Sequence, residues 1–225
     1  MWQLWKWLQR YEDTTGGDVL AIPHNGNLSN GIMFPLVAQW NGKKLDKSYV
    51  RQRNQWEPLV EATQIKGDGE AHPFLSPDDE FADFETWNKG SFGPAVHTAD
   101  MLPREYAREA LKRGLVYEQK LGTNPFKFGV VGAGDAHTAL STPDNDNFFG
   151  KFTAYEPSPH RAEHVSKTFA DGSVALMSHQ YITGGLTAVW AENNTRGEIW
   201  DGMKRRETYA TTGPRMRVRF FGGRS

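Results

Sequence analysis

The chain has 225 residues, 38% of them hydrophobic and 12% aromatic, with a formal net charge of −1. That is enough apolar material for a packed core, and the absence of a basic stripe argues against nucleic-acid and membrane-surface partners. No cysteine is present, which excludes disulfides, thiolate metal sites and a cysteine nucleophile.

The first residues, MWQLWKWLQRYED, place Trp2, Trp5, Leu8 and Tyr11 at helical spacing. They form neither the continuous apolar run nor the small-residue cleavage site of a signal peptide, and no segment approaches the roughly 18 apolar residues of a membrane span. The expectation is a soluble chain. Gly16-Gly17 stops the helix, and Asp18 to Ile22 predicts a short buried strand ending at Pro23. His24 to Pro35 is a loop rich in Asn and Gly. A helix over 45–56 and a strand over 59–64 follow, and Ser76-Pro77-Asp78-Asp79-Glu80 carries the signals of a helix start.

Pro103 to Leu121 is the clearest helix, with Tyr106, Ala110, Leu111 and Leu115 on one face and Gly122 at its end. Lys127 to Gly132 predicts the next strand, and 135–150 a polar loop. A strand at 186–190 leads into a helix over 196–207 that Asn194 or Thr195 caps, and Met216 to Phe221 alternates like a strand with one wet face. Strands alternating with helices imply parallel βαβ units and an α/β fold, in a single domain over 1–225.

Three side chains with ligand chemistry follow the ends of predicted strands: His24 after Pro23, and Asp135 with His137 in Gly-Asp-Ala-His. In open α/β sheets and barrels, ligand-binding residues gather at that end of the strands. Neutral imidazole and carboxylate suit Zn, Mn or Fe, and such an ion makes bound water more acidic and polarises a phosphoryl oxygen. The plain alternative is a loop histidine and an Asp that builds a turn.

The segments IPHNGNLSNG, FKFGVVGAGDAHT and TAVWAENNTRGEIWDGMKRRETYATTGPR, in that order, resemble an uncharacterised family of bacterial proteins, a domain of unknown function within the polymerase-and-histidinol-phosphatase (PHP) superfamily. The resemblance implies a distorted β/α barrel with parallel strands and a metal cluster at its mouth. It also implies hydrolysis of phosphoesters or related small anionic esters, with His24, Asp135 and His137 as metal ligands. The superfamily opens on a His-x-His motif, whereas the seven histidines here (24, 72, 97, 137, 160, 164 and 179) include no such pair. The chain therefore looks like a C-terminal fragment cut at both ends, a partial barrel expected to be inactive alone. Its uncovered strands would be shielded by a homo-dimer or by the Trp-rich first helix.

Glu61 resembles a strand acid that follows the third motif of the superfamily. Gln64, Lys66, Glu70 and His72 could line a substrate pocket, or belong to an ordinary polar loop. Arg196 and Arg215 flank Tyr209 to Gly213 and could grip an anion in bidentate fashion, or pair with Glu192 or Glu198. His160 and His164, four apart, would share a helix face. The alternative to a hydrolase is a binding or interaction module on the same scaffold. A sugar site suggested by the eight Trp is weaker, because most of them sit at core spacing.

Overall fold

The computed structural model describes residues 1–38, 41–87, 97–139, 146, 149–168, 171–182 and 184–223. Helix α1 (Trp2–Thr15) ends where Gly16, at φ 68°, turns into the left-handed region and donates its N–H to the Glu12 carbonyl. Its buried face, Trp5 and Leu8, packs on α2 (Lys47–Trp56) through Tyr49, Val50 and Trp56. The Asp46 carboxylate caps α2 by accepting the Tyr49 N–H at 2.8 Å. The Trp-rich helix therefore packs on α2.

A buried ion pair ties this layer together. Arg53 Nε lies 3.0 Å from Glu57, both side chains almost fully enclosed. Trp5 Nε1 donates to the same carboxylate at 2.9 Å, and Arg53 donates to the Met33 carbonyl at 2.8 Å. The guanidinium also lies over the rings of Phe34 and Phe126.

Strand β1 (Leu59–Gln64) is buried along its whole length and forms the centre of a three-stranded sheet. It pairs antiparallel with β2 (Gly67–Asp68) and parallel with β3 (Gly129–Gly132). Helix α3 (Ala107–Leu121) lays Ala107 and Ala110 on this sheet against Phe34, Val60 and Phe126. Two antiparallel ribbons complete the architecture. One is β4 (Val165–Thr168) with β5 (Val174–Met177); the other is β6 (Leu186–Val189) with β7 (Thr208–Thr211). Helix α4 (Arg196–Lys204) connects β6 to β7, and the Thr195 hydroxyl caps it by accepting the Glu198 N–H.

This corrects the expected parallel-stranded partial barrel. Among the described residues the strands form separate sheets of three, two and two, no barrel closes, and β1–β3 is the parallel pair. The physical reason lies at the free edge of β3. The Thr187 hydroxyl occupies the N–H and the carbonyl of Gly132, at 3.1 and 2.6 Å, and the Thr208 hydroxyl donates to the Val130 carbonyl at 2.9 Å. Side chains thus take groups that a continuing ladder would need. Gly132 permits the approach, since a Cβ there would stand 2.6 Å from the Leu186 carbonyl oxygen.

Three other expectations are corrected. Residues 18–22 are not a strand: Ala21 N–H goes to the Trp56 carbonyl, at the end of α2. Residues 76–80 make turns rather than a helix, with Asp79 drawn off to Arg108 at 2.6 Å. Residues 216–221 form no strand; the Tyr209 hydroxyl holds that segment by donating to the Met216 carbonyl and accepting the Val218 N–H.

Buried charge has two measurable consequences. Glu57→Ala should cost about 3–5 kcal/mol in denaturant unfolding, because it leaves Arg53 enclosed without its counter-charge; a loss under about 1 kcal/mol would show that the pair does not anchor α1 and α2. The second concerns Asp68 and Glu85. Burial pushes Asp68 up to about 6, and burial followed by repulsion from Asp68 pushes Glu85 up to about 7. Glu85 Oε2 has no hydrogen-bond partner among the described residues. Both folded values exceed the unfolded ones, so their stability contribution is intact in acid and is lost as pH rises through about 6 to 7. Glu85→Gln should therefore gain on the order of 1–2 kcal/mol over the parent near pH 8 and little near pH 4. Parallel pH–stability curves for the two proteins would contradict this.

Candidate functional site

The parallel register continues beyond β3. Ala133 N–H donates to the Thr63 carbonyl at 3.0 Å, and Ile65 N–H to the Gly134 carbonyl at 3.4 Å. A two-residue turn, Ile65-Lys66, joins β1 to β2, so Lys66 and Asp135 leave the sheet together. Gly67 closes that turn at φ 100°, and a Cβ there would lie 2.3 Å from the Trp87 Cβ, which only glycine accommodates. Asn25 and Asp135 both adopt left-handed backbone, φ 60° and 48°, a conformation these two residue types accept more readily than most.

The Asp135 carboxylate holds two lysines. Lys66 Nζ contacts its Oδ2, and Lys151 Nζ lies 2.7 Å from the same oxygen while also donating to the Asp135 carbonyl. His137 Nε2 is 3.2 Å from Lys151 Nζ and 3.4 Å from Asp135 Oδ1. Lys151 is brought here by main chain: His137 N–H donates to the Lys151 carbonyl at 2.7 Å, and His137 bridges Phe152.

Behind the lysines runs a chain of amides and a carboxylate. Gln64 Oε1 accepts both the Lys66 N–H, at 2.8 Å, and its Nζ, at 3.0 Å. Gln64 Nε2 donates to Asn25 Oδ1 at 2.7 Å, and the Asn25 N–H donates to Glu61 at 2.9 Å. Asn25 Nδ2 lies 2.7 Å from His24 Nδ1. Burial, and after it the neighbouring Lys151, lowers Lys66 to about 7. Burial lowers Lys151 to about 8 against the pull of Lys66 and Glu61. Burial raises Glu61, opposed by the Asn25 N–H, His24 and Lys66, and lowers His137 with help from both lysines. The carboxylate touching both amines favours their charged forms.

These groups face a cavity of about 420 Å³. His24, Asn25, Lys66, Asp135, His137 and Lys151 form its polar side, and Leu28, Trp87, Phe152, Leu176 and Tyr181 its apolar side. Ser166 and Lys167 complete the lining. Among the described lining residues, three lysines against one aspartate give a formal charge of +2 with neutral histidines.

The structure therefore brings His24, Lys66, Asp135 and His137 to one cavity, with Glu61 and Gln64 supporting them from behind. It places His72 elsewhere: the ring packs on Tyr106 and its Nδ1 accepts the Phe74 N–H. Glu70 forms a bidentate pair with Arg108 at 2.8 and 3.0 Å. Arg196 lines a separate groove with Asp18 and Trp200, and Arg215 is exposed near the C-terminus. His160 and His164 lie in a turn and a loop rather than on a helix, and His164 stacks on Tyr155. Lys151, Trp87 and Tyr181 were not singled out from the sequence, because nothing local marks them: their partners are 14 or more residues away.

A divalent ion does not fit the donors as arranged. The Asp135 carboxylate is committed to two ammonium groups, and among the described residues no three His, Asp or Glu side chains converge to hold a metal.

A family model described as a protein of unknown function (DUF3604) matches residues 1–225. The chain belongs to the DUF3604 family. No curated protein and no solved structure matches it. Among the described residues no helix of this DUF3604 protein is long and apolar enough to cross a membrane.

If ammonium groups guard the carboxylate, removing them should open it to cations. The Lys66→Met/Lys151→Met double variant should bind Zn or Mn at least about tenfold more tightly than the parent in calorimetric titration, with the gain lost on His137→Ala. Equal metal affinity in parent and double variant would show that the lysines exclude nothing.

Proposed function

We propose that this DUF3604 chain is a binding module for a small anionic ester, held by the paired ammonium groups of Lys66 and Lys151. The single observation that carries the reading is that two buried lysines share one carboxylate in a cavity whose described lining residues are net positive. Asp135 touches both ammonium groups and Glu61 acts on them only from one layer behind, while Lys167 adds a third amine to the described lining. The site therefore retains attraction for a further anion, strengthened by exclusion of water. His137, beside Lys151, and Asn25 complete the polar rim.

The ester class is supported by the resemblance of the three motifs to the PHP superfamily, most of whose characterised members act on phosphoesters. Kinship with that superfamily is part of the proposal. Metal-assisted hydrolysis is left out of it, because Asp135 is occupied by lysines where that chemistry requires it to hold an ion. In the binding reading each residue has a different task. Lys66 and Lys151 attract the anion, Asp135 holds the two amines together and charged, and Gln64 orients Lys66 through two hydrogen bonds.

Calorimetric titration with methyl phosphate tests this. Near pH 6, below the values of about 7 and about 8 for Lys66 and Lys151, the parent should bind it. Lys66→Met should weaken binding by at least about tenfold, since hydrogen bonds to charged groups contribute roughly 1.5–3 kcal/mol. Asp135→Asn should also weaken it, because the two amines lose the carboxylate that holds them together and charged. Affinity that ignores both substitutions would remove the lysine pair from the site.

A further inference from the structure

The geometry points to an aryl ester as the ligand, with its anionic head on Lys66 and Lys151 and its ring against the wall of Leu28, Trp87, Leu176 and Tyr181. This rests on the anion-binding reading above and concerns the other end of the same ligand. An inorganic phosphate occupies on the order of 100 Å³, about three waters' worth of volume, so most of the cavity of about 420 Å³ lies beyond the head group.

Apart from Ser166 and Lys167, the described residues that line that remaining space are apolar or aromatic. Leu28, Trp87 and Leu176 form one buried cluster with Tyr181 packed on it, and the Trp87 and Tyr181 rings stack at 6.0 Å with 19° between their planes. The polar ends of both rings are already engaged. Trp87 Nε1 donates to the Gln180 carbonyl at 3.0 Å, and the Tyr181 hydroxyl lies 3.0 Å from Ser166 Oγ, itself 2.9 Å from the Tyr155 hydroxyl. The wall therefore offers carbon surface rather than spare hydrogen bonds. A sugar, which needs donors and acceptors along its edge, would leave hydroxyls unsatisfied against it, whereas an aromatic ring loses nothing there and gains by stacking and burial.

The wall is also held in place before a ligand arrives. The missing Cβ of Gly67 lets Trp87 sit directly against the turn that carries Lys66. The Ile182 N–H donates to the Ile65 carbonyl at 3.0 Å, fixing the Tyr181 segment to the same turn. Head-group site and ring wall thus share one rigid support, which keeps the ordering cost of binding low.

The test is calorimetric titration of the parent, Tyr181→Ala and Trp87→Leu with phenyl phosphate, methyl phosphate and inorganic phosphate. Tyr181 is only half-buried, so its truncation serves if Trp87→Leu fails to fold. Phenyl phosphate should bind the parent about ten- to a hundredfold more tightly than methyl phosphate, from apolar area removed from water. That preference should shrink to a few-fold in Tyr181→Ala, with phenyl phosphate losing more affinity than methyl phosphate. Equal affinity for the phenyl and methyl esters would overturn the aryl assignment and leave the anion site standing. A preference that survives both wall substitutions would overturn it too, and no affinity for any of the three phosphates would overturn both readings.

Discussion

Because β1 and β3 run parallel, with one register shift between Glu61 and Thr63, the residues that follow them leave the sheet at the same end and side by side. Everything at the site depends on that pairing. The bond from Ala133 to the Thr63 carbonyl and the one from Ile65 to the Gly134 carbonyl extend it by two residues. That sets Asp135 over the Lys66 turn. The loop bearing His24 is tied to the same strand, since Glu61 donates its N–H to the Pro23 carbonyl and its carboxylate accepts the Asn25 N–H. Two loops far apart in sequence are thereby held to one strand by main-chain bonds, which are short, directional and costly to leave unmade when buried.

The charge arrangement at Asp135 is the feature most unlike the expectation drawn from motif resemblance. Histidine and aspartate after strand ends predict a cation, and positive charge is indeed what meets the carboxylate, but as lysine ammonium groups from the chain itself. Each amine is buried, and burial pulls both toward neutrality. The carboxylate opposes that pull, so the three groups form a unit in which removing any one changes the charge of the others. Glu61 stands one layer behind and adds to it by attracting Lys151 and Lys66.

Much of the local structure was legible in the residues. Gly16 and Gly122 stop helices at left-handed caps, Thr195 starts one, and Leu59–Gln64 and Gly129–Gly132 are strands where apolar runs sit between turn residues. The misreadings share a cause. Asp18 to Ile22 and Met216 to Phe221 have strand-like composition, but a strand needs a partner edge. Ala21 finds the end of α2 instead, and Met216 and Val218 find the Tyr209 hydroxyl. The barrel expectation failed for the same reason at β3, where threonine hydroxyls take the edge.

The sequence by itself determined which segments coil or extend, and it marked His24, Lys66, Asp135 and His137, because caps, periodicity and strand-end position are properties of neighbours along the chain. Only the tertiary structure decided which edges pair, and which lysine answers Asp135. Lys151 sits at the end of a stretch that reads as polar loop, and Trp87 and Tyr181 lie far apart in the sequence. No local pattern links them. Their proximity results from the bridge between His137 and Phe152 and from the bond between Ile182 and Ile65. Hydrogen bonding and burial depend on distance in space, and that distance exists only once the chain has closed on itself.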